Sequence, residues 1–222
     1  MPRDLVIERF RGIVPGRRFA PQGQQPRGDD DLNPEMKRDM AGLTLKQAAV
    51  LVPLVDRPEG MTVLLTKRTD HLHDHAGQIS FPGGRVDPED ADAIAAALRE
   101  TEEETGLDRA HIDLIGQLDI YVTRTGFEVT PVVGLVRPGF TLNPDTFEVA
   151  EIFEVPLAFF LAPDSRRMES RVWQGRTRYF YVYPYGDYYI WGATAGMLNN
   201  LAEILGDGLL LTETDLPSQK GT

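Results

Sequence analysis

Apolar residues along this chain fall into short runs divided by turn-forming residues. Leu5, Val6, Ile7, Phe10, Ile13 and Val14 mark residues 4–14, a pattern that fits a short helix or an extended arm equally well. Residues 15–34 are rich in Pro, Gly, Gln and Asp and read as a linker or a surface-hugging arm. Ala48 to Val55, interrupted by Pro53, and Met61 to Lys67 flank the turn signal Asp56-Arg57-Pro58-Glu59-Gly60, which predicts a hairpin. Ile112 to Val122, Phe127 to Val136 and Glu148 to Val155 read as further strands, and Pro156 to Leu161 as a short helix. Tyr179 to Tyr183 and Tyr188 to Trp191 flank Pro184-Tyr185-Gly186-Asp187, another hairpin signal. Ala193 to Leu205 predicts a helix stopped by Gly206. Strands interspersed with isolated helices predict a mixed sheet with helices on its faces.

The central element is a helix expected over residues 88–105. Asp87 suits the N-cap, Pro88 the first helical position, Asp90 the first turn and Gly106 the C-terminal stop. Helical spacing places Ile94, Ala97, Leu98, Thr101 and Thr105 on one core-facing stripe. Glu100, Glu103 and Glu104 then share a flanking face. Like charges at i,i+4 cost roughly 0.2–0.5 kcal/mol per pair, and acids in a last turn oppose the helix dipole at roughly 0.3–1 kcal/mol each. A bound divalent cation with a preference for carboxylate oxygen offsets both terms. Arg99 stands beside the cluster and is placed to hold a carboxylate by a bidentate contact. Isolated, such a cluster is more often a solvated face, but Phe81-Pro82-Gly83-Gly84 lies just upstream, where glycines let backbone approach a metal or phosphate.

Composition narrows the chemistry. The chain has 222 residues, enough for one large domain or two small ones, and no cysteine, which excludes disulfides, thiolate catalysis and Cys-ligated metal sites. A net charge of -11 argues against nucleic acid as a partner. No apolar stretch approaches the roughly 20 residues of a membrane span, and Met1 to Arg9 lacks the apolar core of a secretory signal, so no membrane partner and a cytoplasmic location are expected. His71, His73 and His75 alternate and would share a face of an extended segment, but with no fourth ligand in view they are a weak zinc motif. The tyrosine-rich stretch around Tyr179 to Tyr189 is expected to pack the hairpin in preference to stacking an adenine.

Gly84, Arg99-Glu100, Glu103-Glu104 and Gly106 resemble the Nudix box, G-x5-E-x7-R-E-U-x-E-E-x-G-U with U apolar. Asp90 takes the place of the first glutamate, eight residues instead of seven separate it from Arg99, and Thr101 takes the apolar place. A subfamily similar to coenzyme A pyrophosphatases shares the longer spacing and an upstream signature, L-L-T-x-R-[ST]-x3-R-x3-G-x3-F-P-G-G. Here Leu64-Leu65-Thr66-Lys67-Arg68-Thr69, Gly77 and Phe81-Pro82-Gly83-Gly84 match it, with His73 where the pattern has Arg. Val129 to Gly134, Asn143-Pro144-Asp145, Glu148-Val149 and Trp191 to Gly196 resemble the same subfamily.

The resemblance implies an α/β class, a Nudix fold with an α/β/α sandwich and a mixed β-sheet. Together with the composition of the two ends, it divides the chain into an arm or linker over 1–40, a Nudix hydrolase domain over 41–211 and a polar tail over 212–222. It implies hydrolysis of coenzyme A or a derivative at its diphosphate, with ADP-ribose, NADH or a dinucleoside polyphosphate as alternative substrates and a non-catalytic nucleotide-binding regulator as the rival class. Glu100, Glu103 and Glu104, with the Gly83 carbonyl, would ligate Mg2+ or Mn2+. Arg68, His73 and Gly84 would contact substrate, and Arg99 would orient the acids. The base would be Glu103, Glu104 or the distant Glu148. Relatives in this family often form homodimers, so a second copy is an expected partner.

Overall fold

The computed structural model describes residues 1–11, 26–36, 44–71 and 76–206. His73, His75 and the 212–222 tail lie outside the described residues. The elements run α1 (Arg3–Arg11), β1 (Arg27–Gly28), β2 (Lys46–Val55), β3 (Thr62–Arg68), β4 (Ile79–Ser80), β5 (Gly83–Arg85), α2 (Ala93–Thr105), β6 (Ile112–Gln117), β7 (Tyr121–Val122), β8 (Phe127–Val136), β9 (Val149–Pro156), α3 (Leu157–Leu161), β10 (Arg167–Trp173), β11 (Arg176–Tyr185), β12 (Tyr188–Trp191) and α4 (Gly192–Leu205).

The first nine strands form one mixed sheet around β2. β2 runs parallel to β8 along its whole length, from Lys46↔Phe127 to Val55↔Val136. Its other side meets β5 antiparallel at Ala48 to Val50 and β3 antiparallel at Leu54 and Val55. Pro53 is tolerated in this central strand for a specific reason. The N–H of Leu51, two residues away on the same side, reaches Pro82, whereas Lys46 reaches Gly126 on the β8 side. The nitrogen of Pro53 therefore faces the gap between β5 and β3, where no ladder bond is lost.

Both faces of β2 are covered, which explains its unbroken apolar run. Ala49 and Leu51 pack with Ala96 and Ala97 of α2 on one face. Ala48, Val52 and Leu54 join the larger core on the other, with Val6 and Phe10 of α1, Leu157 and Phe160 of α3, and Leu198 and Leu201 of α4. The first apolar segment is thus a helix, with Val6 and Phe10 buried. β10, β11 and β12 form a second, antiparallel sheet. Its tyrosines pack within the protein: Tyr183 is 5.3 Å from Phe160, and Tyr188 stacks on Phe153 at 3.8 Å.

The larger departures from the sequence reading are at three elements. The strand expected over 112–122 is broken after Gln117, because Asp119 turns inward to Arg27 and to Asn200. β10 was not anticipated, since its charged and polar residues give no apolar alternation. The acidic helix begins at Ala93, with Asp92 as N-cap accepting from the Ala95 N–H at 2.8 Å, five residues later than expected. Asp87 to Asp90 form a turn instead, with Asp90 N–H on the Asp87 carbonyl and Asp87 N–H on the Asp90 carboxylate.

Candidate active site

α2 carries the acids to the sheet edge at β5. Its end is as expected: Gly106 adopts φ 70 and returns its N–H to Glu102. The buried stripe is rotated from the expected one. Ala96, Ala97, Thr101, Glu104 and Thr105 are buried, while Ile94 and Leu98 are only partly so. Thr101 and Thr105 fit there because their hydroxyls bond the carbonyls of Ala97 and Thr101 at 2.6 Å.

The rotation gives the three glutamates unequal surroundings. Glu104 is 7% exposed and accepts the Gly83 N–H at 3.1 Å. Burial pushes its carboxyl up to about 7, against the opposing pull of that N–H and of Arg68. Glu100 is half-buried against Gly84; a Cβ on Gly84 would lie 2.4 Å from its carboxylate carbon. Burial also raises Glu100, opposed by Arg99. Glu103 is exposed and reaches Arg99 at 3.1 Å.

Arg99 is the hub. It donates to both oxygens of Asp90 at 3.0 and 2.8 Å, to Glu100 at 3.0 Å and to the Arg85 carbonyl at 3.3 Å. The bidentate contact thus goes to Asp90, the residue at the variant position of the box, and holds its carboxyl down to about 2. Arg68, at the end of β3, stands 3.7 Å from both Glu104 and Glu148. A bulge between Lys67 and Arg68 in the pairing with β9 turns the strand there.

Glu100, Glu103 and Glu104 form one wall of a cleft of about 460 Å³, and Asn143, Pro144, Asp145 and Glu148 form the other. Asn143 and Asp145 carry no local signal beyond the resemblance, and the structure gives them a physical task. Their N–H groups bond the Thr105 and Glu104 carbonyls, the last of α2, at 2.8 and 3.0 Å. The Asp145 carboxylate caps Phe147 N–H at 2.9 Å, and its carbonyl accepts from Glu148 and Val149. Glu148 is thereby tied to the acidic helix.

As they stand, Glu103 turned to Arg99 and Glu104 turned to Gly83, no three acid or imidazole side chains among the described residues are arranged around one point to hold an ion. The donors nevertheless suit a hard divalent cation. They are carboxylate oxygens, two are partly or wholly desolvated, and the desolvation penalty on their charge is what a cation relieves.

An acidic helix packed against a Gly-Gly strand, facing a second acidic wall across a cleft, is the framework of a metal-assisted hydrolase. The NUDIX domain model matches residues 45–172. Nudix hydrolases NudL of Cronobacter sakazakii and Escherichia coli, both described as uncharacterized, are 44% and 42% identical over 176 and 175 residues, covering 79% of this chain and 90% of theirs. Among solved structures, a MutT protein from Methanosarcina mazei is 25% identical with a TM-score of 0.43, covering 54% of this chain and 84% of its own. A MutT/nudix family protein from Enterococcus faecalis is 17% identical with a TM-score of 0.45, covering 76% and 64%. The chain belongs to the Nudix family and has its fold; it is a Nudix hydrolase, of a family that uses divalent cations. Among the described residues no helix is long and apolar enough to cross a membrane.

Proposed function

We propose that this protein is a cytoplasmic pyrophosphohydrolase that cleaves the diphosphate of coenzyme A or an acylated derivative, giving adenosine 3',5'-bisphosphate and 4'-phosphopantetheine or its acyl form. The observation that carries the hydrolytic part is the cleft itself, with Glu100, Glu103 and Glu104 facing Glu148 and Arg68 set between Glu104 and Glu148. The substrate assignment is supported by the Leu64 to Gly84 signature, whose Arg68, Gly83 and Gly84 lie beside the acidic helix.

Glu100, Glu103 and Glu104, with the Gly83 carbonyl, would hold Mg2+ or Mn2+. When bound, such an ion neutralises diphosphate charge and lowers the pKa of a water. Arg99 would hold Glu100 in place along the cleft wall, and Glu103 would turn from Arg99 to the ion. Arg68 would meet substrate phosphate with its guanidinium, and Gly84 would approach it through its backbone. Glu148 accepts the proton from the attacking water; its carboxylate is partly exposed at the cleft and held on the far wall by Arg68 and by its backbone bond to Asp145. His73 replaces an arginine of the signature and would make a weaker phosphate contact, since imidazole is mostly neutral at pH 7. The same reading includes a homodimer, supported by a strand edge in the second sheet that no strand of the described residues covers.

The test is parallel incubation of the protein and Mg2+ or Mn2+ with coenzyme A, ADP-ribose, NADH and a dinucleoside polyphosphate, with products separated by chromatography. Preferential release of adenosine 3',5'-bisphosphate, abolished in Glu103→Gln, is expected. Preference for another substrate overturns the coenzyme A assignment and keeps the hydrolase. No metal-dependent cleavage of any of the four overturns the catalytic reading in favour of a nucleotide-binding regulator.

A further inference from the structure

The second sheet ends at β10, which has β11 on one side and no strand of the described residues on the other. The direction of its unpaired backbone groups follows from Asn33. The buried carboxamide of Asn33 accepts the Tyr179 N–H at 2.8 Å and donates to the Tyr179 carbonyl at 2.9 Å. Both backbone groups of Tyr179 therefore point away from β10. Tyr179 lies opposite Ser170, so the two form a non-hydrogen-bonded pair, and Ser170 turns its own N–H and C=O to the open edge. By the two-residue alternation Met168 and Val172 do the same. Such a row is a template for another strand.

β10 is also complementary to itself. It runs Arg167-Met168-Glu169-Ser170-Arg171-Val172-Trp173, with Ser170 at its midpoint. A second copy laid antiparallel about a two-fold axis at Ser170 brings Ser170 to Ser170, Met168 to Val172, Glu169 to Arg171 and Arg167 to Trp173. The outward-facing groups of residues 168, 170 and 172 then meet as hydrogen-bonded pairs. Glu169 and Arg171 fall on the intervening narrow pairs, where opposite Cα atoms approach to about 4.5 Å and side chains interact most closely. Within the chain Glu169 accepts a hydrogen bond from Tyr189, which leaves its second oxygen for a partner, and Arg171 is in no ion pair of the described residues. Val172 and Trp173, 68% and 58% exposed, would be covered on opposite faces.

We propose that β10 is the surface through which two copies of this chain pair, antiparallel about Ser170. The inference deepens the homodimer part of the functional reading and is independent of the hydrolase part. Sedimentation velocity of the full chain over a micromolar concentration series tests it. A concentration-dependent dimer is expected. Glu169→Arg sets arginine against arginine in both symmetry-related pairs and weakens association by about tenfold. Adding Arg171→Glu exchanges the charges and restores it. Ser170→Pro removes the N–H at the axis without touching the β11 ladder and gives a monomer, with circular dichroism and melting reporting its fold. A chain that is monomeric at every concentration overturns both the surface and the homodimer. A dimer indifferent to Glu169→Arg and to Ser170→Pro overturns the surface alone.

Discussion

Asp90 holds Arg99 by two parallel hydrogen bonds of 3.0 and 2.8 Å, and Arg99 in turn reaches Glu100 and Glu103. The turn before the acidic helix therefore orients side chains about two to three helical turns along it. The eight residues between Asp90 and Arg99 include the Asp92 N-cap, so the acid sits in the turn ahead of the helix and its guanidinium partner within it.

This ion pair makes a pH prediction. Asp90 titrates near 2 when folded against 3.8 for the ordinary side chain, so its contribution to stability is complete above about pH 4 and disappears as the pH falls through about 2. Denaturant midpoints of wild type and Asp90→Asn should differ at neutral pH and converge as the solution is acidified below pH 4. A gap that stays constant over that range excludes the Asp90 carboxylate as its source.

Adjacent glycines should respond differently to alanine. At Gly84 the nearest atoms to the new methyl belong to the end of the Glu100 side chain, so the protein should fold with a stability change within about 1 kcal/mol and lose activity and metal affinity as Glu100 is displaced. Gly83 has φ 148, and a Cβ there would lie 2.4 Å from the Ala49 carbonyl oxygen. Gly83→Ala should cost about 3 kcal/mol or more, seen as a large drop in the melting temperature. Similar melting of the two variants would contradict this difference.

Asp145→Ala removes the cap on Phe147 N–H and loosens the turn that carries Glu148. A loss of about 1 kcal/mol in stability is expected, together with a fall in kcat that exceeds any rise in KM, measured by steady-state kinetics. Asp145→Asn keeps a carbonyl oxygen for the same bond and should recover most of the rate. Equal losses in both variants would assign Asp145 a role beyond positioning.

Asn33→Ala should leave the Tyr179 N–H and carbonyl without the partner that Asn33 supplies, at a cost of about 1–3 kcal/mol. Hydrogen exchange at Tyr179 should accelerate ahead of exchange at Tyr183, whose N–H faces β12 opposite Ile190. Uniform acceleration across β11 would mean that Asn33 acts on global stability alone.

Much of this was readable in the sequence wherever period and punctuation agreed. The hairpin β2–β3, all of β8, β12 and the Gly106 stop follow from apolar runs bounded by turn residues. What escaped depended on distant contacts. Asp87 and Asp92 are equally good N-caps locally, and the choice between them is made by Arg99 drawing Asp90 into a turn. β10 has Arg167, Glu169 and Arg171 on one face and exposed Ser170 and Val172 on the other, so no core imposes a period on it. Glu148 stands out in the sequence by resemblance alone, and its link to the acidic helix passes through Asp145 and the end of α2, a relation no local pattern encodes.

The bonds from Asn143 and Asp145 to the last carbonyls of α2 set the width of the cleft. Each would otherwise be an unsatisfied helix-end acceptor, so pulling the walls apart breaks backbone bonds that the helix cannot replace within itself. The backbone thus ties the two walls together at the end of α2, and any widening of the cleft there begins by exposing two helix-end carbonyls.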